Sequence, residues 1–268
     1  MTVAFESGYS LPGGDMPLNH ARILHRGVSH IFTVDDAGTT AVASATYSKN
    51  APINELTFER YKPNASTWTF QIDLGSAKAA DCFCIAAHTL TGATVTLQQF
   101  TGSWTTVASV TPADNSPIMF IFEELTKQDW RLSVTGGAGE IGVIMIGAAL
   151  QMQRPFYQGF SPARMARDVK VLGNFSETNE LVGRSRIRKS LRASYTWNNL
   201  TYAWVRANLD GTSGLIQSVE IAPCFLAWRP SNDGDVDFLM RVEVTPPNIT
   251  GPASYVSFSM NAEVLAYE

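Results

Sequence analysis

The chain has 268 residues, of which 45% are hydrophobic and 16% charged, and its formal net charge is −4. A chain of this length can form one large or two ordinary hydrophobic cores that need no disulfide bond or metal ion for stability. The low charged fraction indicates either that much of the surface is buried against partners or that an ordinary β-rich protein uses Thr, Ser and Asn in place of charged surface residues. The charge gives no general basis for binding nucleic acid, and no apolar run reaches the roughly 18 residues of a membrane helix.

The N-terminal sequence and the cysteines favour folding in the cytoplasm. Residues 1–6 show neither a basic region nor an apolar region of a secretory signal. Cys82 and Cys84 are two apart in a strand-like run, and Cys224 lies far away, so their spacing is not that of a disulfide framework. We expect all three to be small buried hydrophobic residues.

The first half of the chain reads as short strands. Residues 29–34 predict one strand, and from about Thr39 to Gln153 β-prone runs alternate with turn residues. Residues 68–74, 93–98 and 104–110 alternate apolar and polar positions with period two, whereas residues 80–87 are almost all apolar, as in a buried strand. About eight strands at roughly ten-residue spacing favour a β-sandwich or jelly roll over a parallel α/β sheet.

Residues 154–192 form a basic segment that holds nine of the 20 Lys and Arg residues. Residues 184–188 alternate like a strand with its arginines on one side. Three interpretations stay open: a solvated face, a nucleic-acid contact and a subunit interface. The interface, which could also line a tube through which DNA passes, would use Arg184, Arg186, Arg188, Lys189 and Arg192.

The rest of the chain predicts one short helix followed by strands. Residues 199–209 place Leu200, Ala203, Trp204 and Ala207 on one helical face, with Asn198 or Asn199 as the N-cap. Strands are predicted at residues 216–221, 225–228, 236–244 and 255–266.

Four segments in order resemble the discoidin-type, galactose-binding-like β-sandwiches. They are residues 68–75 (WTFQIDLG), 104–107 (WTTV), 129–134 (DWRLSV) and 140–147 (EIGVIMIG). The resemblance implies a jelly roll over residues 39–154. Many modules of this kind bind glycans at loop tips, for which Tyr61, Phe100 and Trp104 are the candidates here, although core packing is the favoured interpretation of each.

The layout of the chain resembles tail structural proteins of long-tailed bacteriophages, in residues 80–97, 183–204 and 227–230. Distal tail proteins combine a ring-forming β domain with an added jelly roll. The resemblance implies an all-β chain in which the jelly roll, residues 39–154, is inserted into a β-sandwich or barrel unit with one short helix, residues 1–38 plus 155–268. It also implies a homo-oligomeric ring, expected to be a hexamer, that contacts other tail proteins in the virion and is assembled in the host cytoplasm.

The sequence shows no constellation of catalytic residues. His20, His25 and His30 are five residues apart. At this spacing they would not lie on one face of a helix or of a strand. No nucleophile elbow, phosphate-binding loop or dinucleotide fingerprint appears. We therefore expect a non-enzymatic protein without metal or cofactor. A carbohydrate-binding module for host-surface attachment is the alternative function, and a glycan-active enzyme is a third hypothesis.

Overall fold

The structure, a computed structural model, describes residues 3–9, 20–27, 33–35, 41–156, 161–231, 236–250 and 255–267; for residues 33–35, 167–169, 186–190 and 250 it describes the backbone alone. The described chain is almost entirely β, with two seven-stranded sheets and two short α-helices. The prediction of an all-β fold with a jelly-roll β-sandwich is confirmed.

The first sheet is built around two long strands. It contains β1 (Val3–Phe5), β3 (Thr33–Asp35), β4 (Thr67–Ala86), β5 (Thr94–Phe100), β6 (Trp104–Val110), β7 (Ile118–Thr135) and β8 (Val143–Gly147). Its order is β3-β4-β7-β5-β6; β1 pairs in parallel with the start of β7, and β8 pairs with the end of β4. Register shifts follow Asp73 and Ala80 where β4 pairs with β7. The two halves of each long strand therefore have different neighbours and share one core.

The second sheet is antiparallel throughout. It runs in the order β10 (Arg167–Phe175), β11 (Leu181–Thr201), β14 (Tyr255–Val264), β13 (Val236–Thr250), β12 (Cys224–Ala227), β2 (Arg22–Leu24) and β9 (Leu150–Gln151). Helices α1 (Tyr202–Asn208) and α2 (Leu215–Val219) contact this sheet. Within the described residues, 3-10 turns lie at Ala45–Tyr47, Ala51–Ile53 and Ala163–Met165.

The two sheets meet through a shared apolar layer. Phe83 and Ile85 of β4 enter the sandwich core, whereas Cys82 and Cys84 face the second sheet, because successive side chains of a strand point to opposite faces. On the second sheet, Phe225 enters the same layer together with Ala227 and Phe238. This double burial explains why residues 80–87 are almost all apolar.

Two predictions in the second half of the chain were wrong. Residues 216–221 were predicted as a strand, but Leu215–Val219 form α2, which buries Leu215 and Val219 at i,i+4 spacing. The predicted helix begins three residues later than Asn199, because β11 continues through Thr201. The cap is Thr201, whose Oγ1 accepts a hydrogen bond from the Trp204 N–H, and not Asn198 or Asn199.

The N-terminal residues divide between both sheets. β1 and β3 pair with strands of the first sheet, whereas β2 pairs with β12 of the second sheet. Residues 1–38 therefore do not all lie with residues 155–268, as the predicted division implied. Residue pairing in sheets is a long-range property that local sequence does not report.

Candidate functional site

An exposed aromatic cluster lies at the tip of the β5–β6 hairpin. Phe100 and Trp104 are cross-strand partners on either side of the turn, and their ring centroids are 5.2 Å apart. The turn contains Gly102 at φ +90°, a conformation that glycine adopts without strain. Phe100 is 41% exposed, so this pair presents aromatic surface to solvent.

Arg131 of β7 completes this cluster. Its guanidinium lies 4.4 Å from the Trp104 ring centroid, a cation–π geometry, and its Nε donates to Gln98 Oε1 at 2.8 Å. The two contacts hold the guanidinium beside the aromatic rings while leaving it other N–H donors. Phe100, Trp104, Arg131 and Gln98 are hereafter the aromatic platform. It combines ring surface with directed hydrogen-bond donors and acceptors, as a sugar-binding surface requires.

Tyr61 does not belong to this platform. It has no exposed surface and packs against Trp68 and Phe70, with ring centroids 5.4 and 4.9 Å away. Its backbone pairs with Ile141. The proposed glycan contact at Tyr61 was wrong, because the side chain fills the sandwich core.

The β10–β11 hairpin extends beyond the second sheet as an arm. β11 pairs with β14 only from Leu191 onward, so its first ten residues, 181–190, pair with β10 alone. At about 3.3 Å per residue the free part is roughly 30 Å long. We call residues 167–190 the arm. Five large apolar side chains on it are exposed: Val171, Leu172, Phe175, Leu181 and Val182.

The tip of the arm is held by its own hydrogen bonds. Glu180 N donates to Ser176 Oγ at 3.0 Å, and Asn179 N donates to Ser176 O at 2.9 Å. Asn179 adopts φ +62°. This ordered turn presents Glu177 and Glu180 at the end of the arm.

The predicted interface residues lie on or beside the arm. Arg184 is exposed, and Arg192 lies 3.2 Å from Glu263 of β14. The side chains of Arg186, Arg188 and Lys189 lie outside the described residues. A register shift opposite Lys170 and Val171 interrupts the strict alternation of residues 184–188 on which the predicted one-sided row rests.

A cleft of about 660 Å³ opens where the two sheets meet. We call it the junction cleft. Its walls come from β8, the end of β2, α2 and the loop near residue 54. Six of its lining residues are apolar: Ile53, Val143, Ile144, Met145, Ile221 and Ala222. Ile221 is 84% exposed, so the mouth of the cleft carries uncovered apolar surface.

Two polar side chains that follow the C-terminal end of β2 line the same cleft. Arg26 Nε donates to Ser218 Oγ at 3.1 Å, and its Nη2 donates to the Thr212 carbonyl at 2.7 Å. Among the described residues this guanidinium has no carboxylate partner. Burial, reinforced by the charge of Arg26, lowers the pKa of His25 to about 4, so His25 is neutral at pH 7.

Several other titratable side chains are buried in the described parts of the chain. No group of three His, Cys, Asp or Glu side chains there is arranged to hold a metal ion. All three cysteines are free and fully buried, as predicted, and burial raises the pKa of Cys224 to about 12. His88 is buried and bonded to the Ser116 carbonyl. No described helix is long and apolar enough to cross a membrane.

The apolar character of the arm and the junction cleft were not predicted from the sequence. The arm had a signal: VKVLGNF and LVG flank the polar turn SETNE, a hairpin pattern. No sequence pattern indicates the junction cleft, because its residues come from four distant parts of the chain.

No protein-family model matches the chain, and no curated protein sequence matches it. Solved structures are similar to part of it. Chitosan-binding module 1 from a chitosanase/glucanase of Paenibacillus sp. IK-5 has 16% identity and a TM-score of 0.40, over 46% of this chain and 98% of that module.

Two further solved structures have similar scores. CpGH89CBM32-5 of Clostridium perfringens, in complex with GalNAc-β-1,3-galactose, has 8% identity and a TM-score of 0.41, over 46% of this chain and all of that one. SpGH29 has 16% identity and a TM-score of 0.39 over 47% of this chain, which spans 29% of its length. The chain is thus similar over less than half its length to carbohydrate-binding modules and to part of a larger protein.

Proposed function

We propose that this protein is a structural subunit that assembles with copies of itself through the arm. The observation that carries the proposal is the set of five exposed apolar side chains on a hairpin that extends beyond the sheet. A two-stranded hairpin on its own is marginally stable in water. Exposed apolar surface of this kind marks an interaction site, and burial of a side chain such as Phe175 contributes about 2 kcal/mol.

The charge distribution favours a second copy as the partner. The arm, residues 167–190, contains six basic and three acidic side chains, a net charge of +3. The rest of the chain contains 14 basic and 21 acidic side chains, a net charge of −7. A basic arm on an acidic body is therefore attracted to the body of another copy, and complementary charge of this kind accelerates association and suppresses wrong partners.

The assembly that we propose is the tail of a bacteriophage, near the baseplate or tail tip. The sequence resemblance to distal tail proteins supports this proposal, as does the projecting arm, which suits a subunit of a ring. In the proposed ring each subunit contacts its neighbours and other virion tail proteins.

Light scattering after size-exclusion chromatography, together with negative-stain images, tests the assembly. We expect the wild type to form closed rings and Phe175→Asp to be monomeric, because the variant places a charge among the exposed apolar side chains of the arm. Met165→Asp is the matched control, since Met165 is equally exposed but lies outside the arm. A monomeric wild type, or a Phe175→Asp variant that still forms rings, contradicts the proposal. Absence of the protein from purified particles by mass spectrometry contradicts the tail assignment alone.

A specific observation favours glycan binding as a second candidate function. The aromatic platform joins an exposed ring pair to an Arg131 guanidinium that Gln98 orients. Screening the full chain on a glycan array tests this function. We expect signals that Phe100→Ala removes and Phe58→Ala, which truncates another exposed aromatic, leaves unchanged. An array without signals above background contradicts it.

A further inference from the structure

We propose that the junction cleft of one subunit is the docking site for the arm tip of the next copy. This inference rests on the proposed assembly function and names the surface that receives the arm. The proposed occupant is a second copy of this chain, contacting the cleft through Phe175, Leu181 and Val182, with Glu177 and Glu180 beside them.

The apolar surfaces of the two sites match in kind. Phe175 is 63% and Val182 72% exposed on the arm, and Ile221 is 84% exposed at the cleft mouth. Ile53, Ile144 and Met145 extend the apolar lining inward. A volume of about 660 Å³ is within the usual range of binding clefts, roughly 300–1,000 Å³. The cleft therefore has room for the apolar side chains of a hairpin tip.

The charges of the two sites are complementary at Arg26, while Glu55 is the one acidic side chain among the lining residues of the cleft. The tip of the otherwise basic arm is acidic, since Glu177 and Glu180 are its charged residues between Phe175 and Leu181. The cleft offers Arg26, whose guanidinium is fixed by Ser218 and Thr212 and has no carboxylate partner among the described residues. A guanidinium that two hydrogen bonds already orient loses little freedom when a carboxylate binds it.

The tip is ordered before it docks. The hydrogen bonds from Glu180 N and Asn179 N to Ser176 fix the turn in the free chain. Preorganisation of this kind reduces the entropy lost on binding. The contact is heterologous, because the arm of one subunit meets a different surface on the next, and such contacts generate rings when the rotation closes.

A mixing experiment tests the heterologous contact directly. Phe175→Asp disables the arm tip, and Ile221→Asp places a charge at the cleft mouth that repels Glu177 and Glu180. Each variant retains one working surface, so we expect each alone to be monomeric. Their equimolar mixture should give heterodimers that grow no further, because one good arm then meets one good cleft. Ile249→Asp is the matched control, an isoleucine that is 60% exposed away from both sites, and should assemble like the wild type.

Disulfide trapping gives a second, independent readout. Val182→Cys and Ile221→Cys proteins, mixed under mild oxidation, should form a covalent heterodimer. Met165→Cys in place of Ile221→Cys should not. The three native cysteines are fully buried and do not compete. Both substituted residues are exposed, so neither change threatens folding.

The outcomes separate this inference from the function on which it rests. If Phe175→Asp abolishes assembly and Ile221→Asp does not, the arm docks on another surface, which overturns the inference but keeps the proposed function. If Phe175→Asp leaves assembly intact, both are overturned. If neither variant assembles, their mixture stays monomeric and no Val182–Ile221 crosslink forms, the inference alone is overturned.

Discussion

The guanidinium of Arg22 on β2 lies 3.2 Å from the carboxylate of Asp81 on β4, an ion pair that joins the two sheets. Asp81 also accepts a hydrogen bond from the Ala149 N–H at 2.7 Å, and Arg22 donates to Gln151 at 3.2 Å. The Arg22 side chain is 3% exposed. Its charge therefore depends on Asp81 for compensation inside the protein.

Removal of Asp81 should destabilise the fold strongly, because it leaves a buried guanidinium without its counter-ion. We expect Asp81→Ala to lower the free energy of unfolding by about 3 kcal/mol, measured by urea denaturation. Glu263→Ala removes the partly exposed partner of Arg192 and should cost less than about 1 kcal/mol. Equal losses in the two variants would show that the buried pair has no special role.

Histidine burial should make stability depend on pH. Burial lowers the pKa of His88 to about 4, while its Nε2–H donates to the Ser116 carbonyl at 2.7 Å. The unfolded chain takes up this proton near pH 6.5 and the folded chain does so only near pH 4. The contribution of His88 to stability is therefore complete above about pH 6.5 and declines as the pH falls toward 4.

Urea denaturation of the wild type and His88→Gln at pH 7 and pH 5 measures this dependence. At pH 5 the His88 contribution should be lower by roughly 2 kcal/mol than at pH 7. The glutamine side chain of the variant does not titrate, so the variant's loss of stability between these two pH values should be smaller by that amount. An unchanged pH dependence in the variant would exclude His88 as a source.

The approach of β8 to the end of β2 should not tolerate a side chain at Gly147. A Cβ at this position would lie 2.6 Å from the Arg26 carbonyl oxygen, a backbone atom that cannot turn aside. We expect Gly147→Ala to cost about 2 kcal/mol of stability, the usual size of an overpacking effect. Gly211→Ala is the control, since a Cβ there meets nothing within 4 Å. Thermal unfolding of both variants tests this prediction. Equal unfolding midpoints for the two variants would contradict it.

The glycan function predicts a specific role for the shape of Arg131. Arg131→Lys retains the positive charge but loses the planar group that stacks on Trp104 and the Nε–H that Gln98 accepts. Loss of a charged hydrogen bond costs about 1.5 kcal/mol or more, so affinity for the strongest glycan on the array should fall at least about tenfold. Lys127→Arg, a nearby change on β7, should leave titrations unaltered. Undiminished binding by Arg131→Lys would contradict the role of the platform.

The sequence predicted the features that local periodicity determines. Alternation placed Trp68, Phe70 and Ile72 on one buried face of β4, and the apolar run at residues 80–87 lies between two cores. Phe100 and Trp104 do lie together at an exposed tip. Tyr61 gave no local sign of its burial, because the strands that cover it are distant in sequence.

Features that depend on pairing between distant segments were beyond such reasoning. In the sequence, Val182 is an ordinary strand residue. It is exposed because β11 pairs with β14 only from Leu191 onward. Likewise Arg26 becomes part of a cleft because α2 and β8 meet beside it. The short α2 escaped because Leu215 and Val219 are too few to establish a helical period.

The alternation of β4 between two cores limits how this protein can be recombined. A gene fragment that encodes residues 39–154 alone specifies a sandwich with one bare apolar wall, formed by Cys82, Cys84 and Met119. If that segment were placed in another protein, the new protein would have to supply apolar side chains that replace Phe225 and Phe238. Residues 39–154 would therefore expose this apolar surface if they were moved alone, and substitutions on either side of the shared layer constrain each other during evolution.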